Sequence, residues 1–146
     1  MSGVEQGAST RRASSTPGSA QDYLRGVLGA VGVDAPNFIQ EPVHFTLDSV
    51  AFSLFYRFAE HGDMLILSCD FGEPHAHSTA QALLRLMEMN LSIFGTGHAC
   101  FCADAKSGRI QLLTMHAVSL AGAADIASAA HVLSTQARQW RLTNFL

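Results

Sequence analysis

An α+β fold, with helices packed on a twisted antiparallel sheet, follows from three features of the sequence. Between Val43 and Phe71 apolar and polar residues alternate with period two, the pattern of half-buried strands. The breaks in that alternation, at Asp48-Ser49 and at His61-Gly62-Asp63, are short. Consecutive strands joined this way run antiparallel, because parallel neighbours need a long crossover. The flanking segments repeat their apolar residues at the spacing of a helix instead.

Taken in order, residues 1–18 are rich in Ser, Gly, Thr and Ala and lack apolar periodicity, which predicts a disordered tail ahead of a single domain over 19–146. From about Ser19, Tyr23, Leu24, Val27, Leu28 and Val31 recur at helical spacing, and Gly32 stands where a helix would stop. Val43, Phe45 and Leu47 mark a first strand, Val50 to Phe58 a second and Met64 to Phe71 a third. Ser78 or Thr79 is a natural N-cap for a helix that runs to Phe94 and ends at Gly95 and Gly97. His98 to Ala103 and Arg109 to Ala117 read as a hairpin around Asp104–Gly108. Ile126, Ala130, Leu133, Ala137 and Trp140 then predict a long Ala-rich helix from about Ser119 to Arg141. The order is α-β-β-β-α-β-β-α, with three helices.

The composition bounds what such a domain does. The chain has 146 residues and 15.6 kDa, enough for one compact core. Hydrophobic residues make up 48% and charged residues 14%, so the apolar surface needs a destination in an oligomer or against a client. The 79–94 helix carries two apolar stripes: Ala80, Leu83, Leu84, Met87 and Leu91 form one, Ala82, Leu86, Met89 and Ile93 the other. A domain this small covers one face of such a helix, and the second is assigned to a partner subunit. A net charge of −3 without a basic cluster beyond Arg11-Arg12 argues against nucleic acid as a partner. No apolar run reaches the ~18 residues that span a bilayer, and residues 1–18 lack the apolar stretch of a signal peptide. The expectation is a cytoplasmic protein with no membrane insertion.

Several stretches together resemble the class I type III secretion chaperones, the family of the Tir chaperone (CesT-like), across about residues 20–142. These are Phe45-Thr-Leu47-Asp48, Gly72-Glu73-Pro74, Leu83-Leu84 through Asn90-Leu91, Gly95-Thr-Gly97, and the turn ending at Gly108 before Ile110-Gln-Leu112. Each piece is weak alone, and their order and spacing carry the resemblance. It implies a bacterial cytosolic homodimer that keeps the N-terminal segment of a type III effector stable and export-competent, without catalysis or cofactor. On that reading Ala82, Leu86, Met89 and Ile93 form the dimer interface. Leu28, Val31, Phe45, Leu47, Phe52 and Leu54 receive the client, while a sheet edge pairs with its backbone.

The alternative is a small metal- or thiol-dependent regulatory protein using His98, Cys100 and Cys102, which share one face of a strand. Same-face neighbours on a strand lie ~7 Å apart, too far to converge well on one tetrahedral ion. The three cysteines, Cys69, Cys100 and Cys102, are read as small core residues, and His75-Ala-His77 as a solvated loop. No phosphate loop, nucleophile elbow or HExxH pattern is present, so no catalytic, cofactor-binding or metal residues are assigned.

Overall fold

A computed structural model describes residues 17–146. The tail expected over 1–18 lies outside the described residues apart from Pro17 and Gly18, which open the first helix. The elements are α1 (Pro17–Ala30), β1 (Val43–Leu47), β2 (Val50–Arg57), β3 (Met64–Gly72), α2 (Thr79–Phe94), β4 (Ala99–Ala103), β5 (Ile110–Ala117) and α3 (Ala123–Thr143). They follow the order read from the sequence.

The strands form one antiparallel sheet in the order β1-β2-β3-β5-β4. Asp48 and Ser49 turn the β1–β2 hairpin with φ of 50° and 66°, the left-handed geometry that matches the twist of the flanking strands. At the end of β3, Gly72 has φ 97°, and the Arg141 side chain packs 3.5 Å from where a Cβ would stand. That arginine ties α3 to the sheet, donating to the carbonyls of Asp70 at 2.8 Å and Phe71 at 3.0 Å.

α3 starts at Ala123 and not near Ser119. The Ala121 N–H still bonds back to Ala117, so the chain is leaving β5 there, and the Gly122 N–H meets the Asp125 carboxylate at 2.9 Å to cap the helix. His75 is no solvated loop residue either. Its N–H donates to Asn144 Oδ1 at 2.8 Å, and its Nε2 lies 2.7 Å from the Arg141 carbonyl, clasping the end of α3.

One face of the sheet carries the core. Phe45, Phe52, Cys69, Leu112 and Phe101 stand in one register row across all five strands. Leu24, Val27 and Leu28 of α1, with Ile126, Ala130 and Trp140 of α3, complete the buried cluster. Each large side chain buried there contributes roughly 1.5–3 kcal/mol.

This packing places the expected client-binding residues in the core or against it. Leu28 is 2% exposed, Phe52 1% and Leu54 0%; Phe45 is buried at 6%, and Val31 and Leu47 are half-buried against the same core. The apolar register of a strand and the apolar stripe of a helix look alike whether a client or the chain's own helices cover them. Here α1 and α3 cover them. The cysteines divide: Cys69 is core, whereas Cys100 and Cys102 are exposed, on the sheet face that points away from the helices.

Candidate functional site

The two stripes of α2 are used in the opposite sense to that expected. Ala82 is 0% and Leu86 4% exposed, both within the chain's own domain, and Met89 and Ile93 pack half-buried against the core. Ala82 and Leu86 are thus covered by their own chain, whereas Met89 and Ile93 also line the apolar groove between α2 and α3. The exposed stripe is Leu83, Leu84, Met87 and Leu91, continued by Phe94; Leu91 is 79% and Phe94 83% exposed. Two stripes about 100° apart on one helix are equivalent in sequence. Contact with β4 decides between them.

α2 lies along β4, and one side chain joins them closely. Asn90 Nδ2 donates to the Phe101 carbonyl at 3.0 Å, and Asn90 Oδ1 accepts from the Phe101 N–H at 2.7 Å. The Asp104 N–H bonds to the Arg109 carbonyl and the Met115 N–H to that of His98, so by alternation Cys100 and Cys102 face β5. Phe101 therefore turns its N–H and C=O outward, away from the sheet, and the Asn90 carboxamide takes both. The middle of this edge is closed.

The other edge is open. Leu47 and Val50 flank the two-residue turn and form a hydrogen-bonded pair, which makes Phe45–Phe52 and Val43–Leu54 hydrogen-bonded pairs as well. His44 and Thr46 consequently aim their backbone groups away from β2, and among the described residues β1 has no further strand beside it. Their side chains are exposed on the outer face, where His44 Nδ1 lies 2.8 Å from Ser53 Oγ. Next to β1, a groove of about 380 Å³ is lined by Leu28, Val33, Pro36, Phe38 and Ile39, with Phe38 exposed at its rim. A second apolar groove, about 400 Å³, runs between α2 and α3 over Ala99, Phe101 and Leu112.

The outer face of the sheet bears Phe55 and Met115, both exposed, with Ile66 and Leu113 half-buried. Asp70 is held there by Arg109, whose Nη2 lies 2.6 Å from Asp70 Oδ2 and whose Nε bonds the same carboxylate. On the helix side, His116 Nε2 lies 2.9 Å from Thr114 Oγ1, and burial, then the nearby His98, hold the His116 imidazole below its ordinary pKa.

For chemistry the arrangement offers little. Among the described residues no three His, Cys, Asp or Glu side chains stand where they would hold a metal ion. The His98, Cys100 and Cys102 set of the alternative reading is spread over exposed positions in and just before β4, the geometry that suits a tetrahedral site poorly. Burial, with Asp70 beside it, pushes the Cys69 thiol up to about 12, which disfavours the thiolate a nucleophile needs. Burial, then Cys100, also raises the Cys102 thiol.

Asn90 was visible in the sequence only as part of a family pattern. Its spacing of four from Leu86 places it on the face that meets the sheet, a signal that α2 needs a polar contact there. No helix among the described residues is long and apolar enough to cross a membrane.

No curated protein sequence matches the chain. A solved structure similar to it is the crystal structure of the ExsC-ExsE complex, with TM-score 0.65 and 15% identity over 86% of this chain and 93% of that one, a likeness of fold. The model of the Tir chaperone protein (CesT) family matches residues 24–141, from Leu24 in the core face of α1 to the arginine that anchors α3. The chain belongs to that family, the type III secretion chaperones.

Proposed function

We propose that the protein binds the N-terminal segment of an effector in the bacterial cytosol and keeps it extended and export-competent, as a homodimer and without catalysis. The observation that carries this reading is the contrast at the sheet edges: β1 presents the free backbone groups of His44 and Thr46 beside an apolar groove. A client strand added there gains main-chain hydrogen bonds from the edge and side-chain contacts from its flanks. Residues of the client on the helix side lie beside Val43, Phe45 and Leu47, and those on the other side beside His44 and Thr46. The preferred client therefore alternates apolar and polar residues, with an apolar anchor near Phe38.

The exposed α2 stripe of Leu83, Leu84, Met87, Leu91 and Phe94 is assigned to the second subunit. A contiguous apolar stripe of this kind is unusual on a monomer in water. Co-expression with a tagged effector N-terminus, followed by hydrogen exchange of the purified complex, tests the docking. Slowed exchange at His44 and Thr46 is expected. Protection confined to the helices, or to β4, would overturn the assignment of β1.

A further inference from the structure

The two bonds from Asn90 to Phe101 are more than an anchor for α2. An edge strand with unpaired N–H and C=O groups is a template for any other strand, from a client or from a second copy. β4 is five residues long and stands at the margin of the sheet. By the alternation described above its outward groups are those of Ala99, Phe101 and Ala103, so Phe101 is the central docking position. The Asn90 carboxamide presents one donor and one acceptor, the same pair that an incoming strand would present, at 3.0 and 2.7 Å. No comparable side chain meets the outward groups of His44 and Thr46 in the described bonds of β1.

We propose that Asn90 is a specificity-determining residue: it mimics a bound strand at β4 and so reserves strand addition for β1. The inference rests on the reading of the protein as a binder of extended segments. What it adds is that the choice of edge is encoded in one side chain on α2, and that removing this side chain creates a second strand-addition site, whose first occupant is β4 of another copy.

The test uses the full chain with Asn90→Ala and Asn90→Asp, and needs no effector. In the alanine variant the Phe101 amide should exchange roughly tenfold faster or more, while Leu67 and Leu112 stay protected and report an intact fold. Native mass spectrometry of the same samples should show concentration-dependent species above the wild-type assembly. Asn90→Asp keeps an acceptor for the Phe101 N–H and loses the donor, so its Phe101 exchange should lie between those of the wild type and the alanine variant. An unchanged Phe101 amide in Asn90→Ala would overturn the proposal. So would an exposed amide with wild-type assembly. Failure to capture an effector at β1 is a separate result that strikes the functional reading and leaves these measurements intact.

Discussion

The two edges of the sheet are built from similar short strands, yet one is open and the other closed. β1 and β4 are each five residues long, and among the described residues each has a single neighbour. β1 ends a hairpin, and among the described residues only a loop and a groove lie beyond it. β4 lies under α2, which supplies a carboxamide to its central backbone groups. The lesson is that the availability of an edge is a property of what packs beside it, not of the strand's own residues.

The largest effect should come from loosening the helix that closes β4. Leu86→Ala removes a buried side chain from the α2 core contact and should cost about 3 kcal/mol in urea unfolding. A loss below about 1 kcal/mol would mean that α2 is not docked as described. The opposite face of the same helix should behave differently. Leu84→Glu with Leu91→Glu should turn the proposed dimer into monomer in sedimentation while changing monomer stability by only about 0.5 kcal/mol per site. A dimer that survives both charges would move the subunit interface elsewhere, with the Phe55 and Met115 face next in line.

A matched pair of prolines compares the edges directly. Thr46→Pro and Ala99→Pro each remove an outward N–H and spare the bonds to the neighbouring strand, the setting in which an edge tolerates proline. Thr46→Pro should weaken effector-segment binding on the order of tenfold, measured by titration calorimetry, and Ala99→Pro should leave it unchanged. Equal losses would erase the distinction between the edges.

The smallest effect is an acid sensitivity on the β4 side. His116 is held below its ordinary pKa by burial and then by His98, so the unfolded chain takes up the proton first. Stability is thus full above the unfolded pKa of about 6.5 and is lost as the pH falls through it, levelling off below the lower folded-state pKa. His116→Gln should flatten that part of the Tm profile between about pH 7 and pH 5. An unchanged profile would assign the acid sensitivity to other groups.

Much of the fold was legible because its signals are local. The alternation from Val43 to Phe71, the Asp48-Ser49 turn and the helical spacing of Ile126, Ala130, Leu133, Ala137 and Trp140 each report on a few neighbouring residues. The site was much less legible. Phe52 and Leu54, expected to meet a client, are core; Leu86, expected to meet a second subunit, is covered by its own chain; Cys100 is exposed where a core residue was expected. In each case the residue type and period were read correctly. Only the identity of the covering surface was not.

The sequence by itself determined the element order, the antiparallel pairing of consecutive strands, the doubled apolar face of α2 and the family pattern that runs through Asn90 and Gly72. The first three follow from turn chemistry and periodicity along the chain, and the last is a resemblance to known chaperone sequences. The tertiary structure alone decided that β5 lies between β3 and β4, which stripe of α2 faces inward, and which sheet edge is left open. These depend on contacts between residues far apart in the chain, and a period of two or 3.6 states that a face is apolar without stating what will cover it.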